Sequence, residues 1–509
     1  MKKVVFSLAA LLSATAMVAQ SNNSNVSQTG VDNIATITQV GTSNSSLTNQ
    51  EGLANNAEAI QGSADFNSRN GIVEQSQNGD KNSAFAQHEE DANQVSQVQA
   101  GNGNSARATQ NLAFTGGGNL AIQIQEGNAN TATISQEGIT NSAFQAQFGD
   151  DNTGTSSQEG IDNFSELQQE GTFNTASIAQ VGNENISIQS QIGDANMATA
   201  EQWGPANSVR QDQEGGGNTA TSLQGSATFD SRGGRVEQVQ IGDENNAFAN
   251  HEEDSNVIQQ GQEGDSNDAS AEQNLGSFGG ENVAVQVQTG NGNSAVGSQN
   301  GSNNSLSQTQ TGDENQASST QSGTDNIATQ TQLGNGNSAV AEQGGLFFTS
   351  RGGAITQTQI GNGNEAFGRH EEDNNSIVQT QLGDRNSASA TQNIAFFGGE
   401  NRTSQFQLGN GNVAEGSQEG VTGVAGELNS IIQFQLGDQN FAASAQNGAS
   451  NVSDIFQSGN ENVAEDTQIG IGNNTFVTQI GDGHMSTILQ NGTNNSAVVT
   501  QSGSGGGAR

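Results

Sequence analysis

Small and polar residues recur at every second position along most of the chain, and residues 104–110 show the pattern. The recurring set in this stretch is Asn104, Ala106, Ala108 and Gln110. Successive side chains of a β-strand point to opposite faces, so this set shares one face. Because the recurring set is the constant one, we predict that it faces inward.

The pattern repeats at a fixed interval. Anchor glutamines follow one another every eleven residues without a break from Gln125 to Gln224, and 41 anchors run from Gln28 to Gln501. Three anchors are histidines, namely His88, His251 and His370. A fixed period kept along the chain is typical of an array of stacked units.

The full unit is about 22 residues, because two kinds of strand alternate. Between Gln77 and Gln435, every second anchor except Gln169 has another glutamine two positions earlier. These strands often place a large aliphatic residue inward, as at Val95 and Ile377, whereas the intervening strands place alanine there, as at Ala84. Large residues opposite small ones predict a thin, dry core.

The fold predicted is an all-β solenoid of about twenty 22-residue turns, with two short strands per turn and Asn/Gln ladders inside. Stacked about 4.8 Å apart, equivalent side-chain amides can hydrogen-bond along the axis. The predicted ladder includes Gln99, Asn104, Gln110, Gln125, Asn130, Gln136, Asn141, Gln147, Gln158, Gln240, Gln262, Gln288, Gln310, Gln332, Gln381 and Gln407. Glycine suits the positive φ of a tight corner, and the predicted turn residues are Gly101, Gly127, Gly138 and Gly149.

Seven insertions interrupt the period without changing the phase of the doubled glutamines. They follow Gln61, Gln110, Gln224, Gln273, Gln343, Gln392 and Gln418. We therefore predict that all seven leave from the same corner of the solenoid.

Composition changes the picture in two ways. With 30% hydrophobic residues, 68 glycines and a net charge of -40, composition alone is typical of disorder, but disorder requires no fixed spacing. With 13 Lys plus Arg, the chain lacks the clustered cations that contact with nucleic acid or an anionic membrane needs.

Three segments are predicted. Lys2 and Lys3 followed by an apolar run predict a signal peptide over 1–19, cleaved after Ala16 or Ala19. The repeat array covers 20–501, and 502–509 is a flexible Gly/Ser tail. No later stretch reaches the apolar length that spans a bilayer, so we expect an exported protein without membrane insertion.

The repeat resembles the curlin repeat of curli fibre subunits, Ser-x5-Gln-x-Gly-x2-Asn-x-Ala-x3-Gln. The matching residues include Gln99, Gly101, Asn104, Ala106, Gln110, Gln147, Gln158, Gln332, Gly334, Asn337, Ala339 and Gln343. Asn93 stands where the curlin repeat opens with serine, and the chain has more repeats than is usual and no tyrosine. The resemblance implies an extracellular, fimbria-like amyloid fibre of the biofilm matrix that serves in cell adhesion. It also implies self-polymerisation through the ladder, a nucleator subunit and a secretion machinery as partners.

Each histidine anchor precedes three acidic residues. The three sets are Glu89, Glu90 and Asp91; Glu252, Glu253 and Asp254; and Glu371, Glu372 and Asp373. Oxygen ligands at one corner could hold Ca2+. The favoured alternative is that histidine replaces an inward glutamine while the acids pair with Arg69, Arg232 or Arg351.

We do not expect this protein to be an enzyme, because a rod with four histidines and no cysteine offers no activated nucleophile in a pocket. The preferred hypothesis is a secreted structural protein that assembles into fibres. The first alternative is a monomeric surface adhesin, or ligand-binding rod, that uses the looped corner. A third hypothesis, ice binding, depends on one outward column of Thr309, Thr331, Thr358 and Thr380.

Overall fold

The computed structural model describes residues 21–112, 116–275, 279–345, 349–393, 399–420 and 428–503. The predicted signal peptide, residues 504–509 of the predicted tail and parts of five insertions lie outside the described residues. Within the described ranges, every regular element is a β-strand. The chain divides into two compact units, Met1–Asp162 and Asn163–Arg509.

The first unit contains two parallel sheets that alternate along the chain. The sheet that carries the doubled glutamines, here called the double-glutamine sheet, consists of Asn23–Val31, Ser45–Leu53, Ile72–Asn78, Gln94–Ala100, Leu120–Glu126 and Ser142–Asp150. The alanine sheet consists of Ile34–Gln39, Asn56–Gln61, Ser83–His88, Ser105–Gln110, Thr131–Ile139 and Thr153–Ile161. Two short strands, Gly41–Thr42 and Ser68–Arg69, pair at a corner.

The second unit repeats this arrangement over more turns. Its double-glutamine sheet consists of Phe164–Thr172, Ile186–Asp194, Ser208–Glu214, Arg235–Ile241, Val257–Glu263, Val283–Thr289, Ser305–Thr311, Ile327–Leu333, Ala354–Ile360, Ser376–Leu382, Arg402–Leu408, Ser430–Leu436, Val452–Ser458, Asn474–Ile480 and Ser496–Ser502. Its alanine sheet consists of Thr175–Asn183, Met197–Trp203, Thr219–Gln224, Asn246–His251, Asp268–Gln273, Ser294–Ser302, Gln316–Thr324, Ser338–Gln343, Glu365–His370, Ser387–Gln392, Val413–Glu419, Phe441–Ala449, Val463–Ile471 and Met485–Thr493. A two-residue strand, Ser350–Arg351, extends the pairing at one corner.

Strands of successive turns pair in parallel and in register. Ala106 lies opposite Ala132, and Gln110 lies opposite Gln136. This pairing places identical residue types above one another, as the period predicted. The all-β solenoid of roughly 22-residue turns, with asparagine and glutamine inside, is confirmed.

The core is a thin layer between the two sheets. Aliphatic side chains such as Ile258 and Ile355 on the double-glutamine sheet pack with Ala249 and Ala341 on the alanine sheet, and all four are fully buried. Leu167 stands where the neighbouring strands have the first of two glutamines, and it packs with Ile178. The predicted pairing of large with small residues is observed around Ile258 and Ile355, whereas Leu167 and Ile178 bring two large residues together.

The corners depend on glycine, and Gly101 shows why. Its φ is 107°, and the carbonyl oxygen of Gly127 in the next turn occupies the place where a Cβ would lie. A side chain at this position would overlap the neighbouring backbone, so the stacking of turns itself requires glycine.

Candidate functional site: buried amide ladders and histidine turns

Each ladder glutamine is held by hydrogen bonds in two directions. Gln310 Nε2 donates to Gln332 Oε1 at 2.9 Å and to the backbone oxygen of Ser294 at 3.0 Å. The first bond runs along the axis, and the second crosses to the alanine sheet. Both amide hydrogens are thus used, which makes a buried glutamine tolerable.

The structure places all the predicted ladder residues inside. The buried set includes Gln99, Asn104, Gln110, Gln125, Asn130, Gln136, Asn141, Gln147, Gln158, Gln240, Gln262, Gln288, Gln310, Gln332, Gln381 and Gln407. The predicted turn residues adopt positive φ, at Gly101, Gly127, Gly138 and Gly149.

The asparagines form a second ladder at the corner. Asn293 Oδ1 accepts from the backbone N–H of Asn315 at 3.0 Å, and Asn315 Nδ2 donates to the backbone oxygen of Gly334 at 2.7 Å. Each asparagine therefore ties its own turn to its neighbours. The backbone groups that a corner would leave unpaired are satisfied in this way.

An exposed ladder of Asn and Asp, which sequence reasoning missed, lies outside the same corner. Asp384 donates its backbone N–H to Asn410 Oδ1 at 2.9 Å, and Asn410 donates its own to Asp438 Oδ1 at 2.8 Å. Asp and Asn alternate over these turns, so like charges are spaced two turns apart. The signal in the sequence was the polar residue that follows each corner glycine.

The three histidine anchors replace ladder glutamines and are fully buried. Gln61 Nε2 lies 3.3 Å from His88 Nε2, and Ser68 Oγ lies 3.4 Å from His88 Nδ1. Because the amide nitrogen of Gln61 can only donate, His88 Nε2 accepts and the ring proton is on Nδ1. The same contacts recur as Gln224 and Ser231 around His251, and as Gln343 and Ser350 around His370.

Burial keeps these histidines neutral. Desolvation lowers the pKa of His88 from 6.5 to about 4. It lowers the pKa of His251 and of His370 from 6.5 to about 3. A neutral ring is what the hydrogen-bond arrangement requires, since His88 Nε2 must stay unprotonated to accept from Gln61.

Each histidine breaks the ladder in one direction. Among the described residues, the Oε1 atoms of Gln110, Gln273 and Gln392 are buried without a hydrogen-bond partner. These are the ladder glutamines that pair directly after His88, His251 and His370. A neutral imidazole has a single N–H, and here Nδ1–H is directed to the serine while Nε2 accepts. The ring therefore has no N–H left to donate to the glutamine of the next turn.

A glycine makes room for each ring. Gly71, Gly234 and Gly353 stand seventeen residues before the three histidines, where an ordinary turn has its ladder asparagine. A Cβ on any of the three would overlap the Cε1 atom of the histidine ring. Sequence reasoning missed these glycines, although a missing asparagine before every histidine anchor was a visible signal.

Serine takes over part of the role of the missing asparagine. In the first copy, Ser68 Oγ donates to Asn44 Oδ1 at 2.9 Å, and the backbone N–H of Gly71 donates to the same oxygen at 3.0 Å. The Ser-Arg insertion and the histidine therefore form one structural unit, although twenty residues separate Ser68 from His88.

The acidic triplets lie beside these rings at the corner. Arg69 Nη2 lies 2.5 Å from Asp91 Oδ2, so the predicted pairing of an acid with Arg69 is present. In the third copy, Glu371 is buried and Oε1 lies 2.8 Å from Arg369 Nη2, a pair that was not predicted. Over the described residues, no group of three or more His, Cys, Asp or Glu side chains is placed to hold a metal ion. The Ca2+ site stays a prediction.

A scan against models of known protein families finds no match, and a search of curated proteins finds none either. In the part of the chain that the structure describes, no helix has the length and apolar character needed to cross a membrane.

Proposed function

We propose that this protein is a secreted structural subunit that assembles end to end into curli-like amyloid fibres of the extracellular matrix, where it serves in adhesion. Three observations support the proposal. The repeat resembles that of curlin subunits, and the parallel in-register ladders have the hydrogen-bond arrangement of cross-β fibres. The direction of the ladders is the observation that carries it.

The glutamine ladders have a direction, because wherever glutamines of successive turns bond to each other the Nε2 of the earlier turn donates to the Oε1 of the later one. In the first unit, Gln28 and Gln39 donate to Gln50 and Gln61, which leaves their Oε1 atoms facing away from the unit. In the second unit, Gln490 and Gln501 each donate one hydrogen to the backbone, at Asn474 and Met485. Because the ladder glutamines of earlier turns use their second amide hydrogen along the axis, as Gln310 does, we infer the same direction for the second amide hydrogen of Gln490 and of Gln501.

These two edges are complementary. Donors of Gln490 and Gln501 in one copy match acceptors of Gln39 and Gln28 in the next, whereas two like edges would face donor with donor or acceptor with acceptor. Among the described residues, Asn23–Val31 pairs only with Ser45–Leu53 and Ser496–Ser502 only with Asn474–Ile480, so the outer side of each has no strand partner. An uncovered strand edge templates pairing with another chain, and a head-to-tail contact that does not close on itself makes a filament.

The test uses residues 20–509. This protein should form thioflavin-binding fibrils with cross-β spacings of about 4.8 and about 10 Å. A Q490E/Q501E variant places two carboxylates against the acceptors of the next copy, and we expect elongation at least about tenfold slower. The matched control M485E/L489E adds the same charge to two outward positions of Met485–Thr493, the last strand of the alanine sheet, and should elongate nearly normally.

A protein that stays monomeric at high concentration would contradict the proposal. Equal slowing in both double variants would contradict the proposed polarity of the contact.

A further inference from the structure

One outer face in the second unit carries much less charge than the strands that precede it in the same sheet of that unit. It is built by the first, third, fifth and seventh residues of ten seven-residue strands of the double-glutamine sheet, and we call it the uncharged face. The strands are Val283–Thr289, Ser305–Thr311, Ile327–Leu333, Ala354–Ile360, Ser376–Leu382, Arg402–Leu408, Ser430–Leu436, Val452–Ser458, Asn474–Ile480 and Ser496–Ser502.

Charge is nearly absent from this face. Of its 40 outward positions, two are charged, Arg402 and Asp454. In the five preceding strands of the same sheet, eight of the 20 equivalent positions are charged. In a chain of net charge -40, such a gap marks a surface on which approach is not opposed by like charge.

Apolar side chains and threonines fill the face in columns. Phe434 stacks on Phe406 with ring centroids 4.6 Å apart and on Phe456 at 5.6 Å. Thr331 and Thr358 lie in register as neighbours in a threonine column. More than a third of the surface of each of these apolar residues is exposed: Val283, Val287, Ile327, Leu333, Ile360, Leu408, Ile432, Phe476, Ile480 and Val498. A contiguous apolar patch of this kind marks an interaction site.

The size of the face suits a stable interface. Ten strands spaced about 4.8 Å apart, each about 23 Å long, cover about 1,100 Å². Two such faces together would bury about 2,000 Å², which is within the range of specific protein complexes.

The regular spacing of side chains on the uncharged face indicates which partner it binds. Its columns advance by one strand spacing per turn, and a second copy presents the same spacing, the same absence of charge and the same length. Outward side chains of two sheets can then interdigitate with the sheets about 10 Å apart, as in a β-sandwich or a steric zipper. Nucleic acid and anionic lipid would require cations, and the face has one, Arg402.

We propose that the uncharged face pairs laterally with the uncharged face of a second copy of this chain. The contact is isologous, so it closes at two copies and does not depend on end-to-end growth. In a fibre it would join two filaments side by side.

The experiment measures mass by sedimentation equilibrium in the Q490E/Q501E background, in which end-to-end growth is slowed. The face variant T331K/T358K/F434K introduces three lysines into the centre of the face. The matched control T320K/T391K/F441K changes the same residue types at outward positions of the alanine sheet in the same unit. Lysine is used because three lysines make the net charge of either variant less negative by the same amount, so general repulsion between copies cannot explain a loss of pairing.

We expect the background protein and the control to form two-copy species, and the face variant to pair at least tenfold more weakly. Unchanged circular dichroism and hydrogen exchange would show that the face variant is folded. A background protein that stays a single copy up to about 100 µM overturns the proposal. Equal weakening of pairing by the control variant also overturns the proposal. A single-copy protein that inhibits ice growth overturns it as well, and would indicate that the threonine column binds ice.

The same samples separate this inference from the proposed function. Fibres that form from the natural chain as single, unpaired filaments leave the proposed function standing and overturn lateral pairing. Two-copy species without any fibres would leave lateral pairing standing and would contradict the proposed function.

Discussion

In the second unit, the ladder of the double-glutamine sheet continues turn after turn from Gln169 to Gln501, whereas the ladder of the alanine sheet is interrupted at His251 and again at His370. Both ladders are buried, and both lie in the same turns. What differs is whether the residue can accept on one side and donate on the other. A side-chain amide does both along the axis, and a neutral imidazole held by Gln343 and Ser350 does not.

The interrupted ladder is therefore the sensitive part of the fold. Around His370, a ring with a strongly lowered pKa, a glycine without room for a Cβ and an unpartnered Gln392 Oε1 lie together. In the uninterrupted ladder, Gln332 and Gln359 have partners on both sides.

Acidification should produce the largest difference in stability between the two ladders. The pKa of His370 is about 3 in the folded chain and about 6.5 when unfolded, so the unfolded state binds more protons between these values. The contribution of the histidine is then complete above pH 6.5 and is lost as the pH falls towards 3. The loss reaches about 5 kcal/mol for His251 and for His370, and about 3 kcal/mol for His88, whose pKa is about 4.

Hydrogen exchange, corrected for its intrinsic pH dependence, tests this prediction. Amides of Glu365–His370 should lose protection on acidification before those of Ser305–Thr311. Burial raises the pKa of Asp466, and desolvation together with Asp373 and Glu371 raises that of Glu372, so these two groups act in the opposite sense. A variant without His251 and His370 isolates the histidine contribution. Equal loss of protection in that variant would contradict the prediction.

The G353A substitution, which adds one methyl group, should have the next largest effect. Its Cβ would overlap the ring of His370, and overpacking of this kind costs about 2 to 3 kcal/mol. In a H370Q background the same change should cost less, because φ at Gly353 is not positive and the ring is absent. The remaining close contact, Ser350 Oγ at 2.7 Å from the added Cβ, is the end of a short side chain that can rotate. Urea unfolding of the four proteins gives the coupling energy. An equal cost in both backgrounds would show that the ring of His370 is not what excludes a side chain at position 353.

Restoring an ordinary turn should have the smallest effect, and it should be stabilising. The H370Q/G353N variant supplies a donor for Gln392 Oε1 and a ladder asparagine, and we expect a gain of about 1 kcal/mol. H370Q alone should gain less, since it leaves the space above Gly353 unfilled. The urea midpoint measures both. A less stable double variant would show that the insertion with Ser350 requires the histidine.

Much of this structure was predictable because the signal was repeated. The alternation around Asn104 and Gln110 predicted strands, the second glutamine at Gln123 or Gln145 distinguished the two sheets, and an inward anchor predicted buried histidine. Less of the histidine turn was predictable. The roles of Gly71 and Ser68 depend on His88, which belongs to a different strand, and no local pattern connects them.

By itself, the sequence determined the period, the inward face and the chemistry of the ladders, because each depends on residue spacing within one or two strands. Only the tertiary structure decided the direction of the hydrogen bonds, the acceptors left open after each histidine and the 40 outward positions that meet as one uncharged face. The physical reason is that these features arise between turns, where residues some 22 to 28 positions apart are brought within one strand spacing.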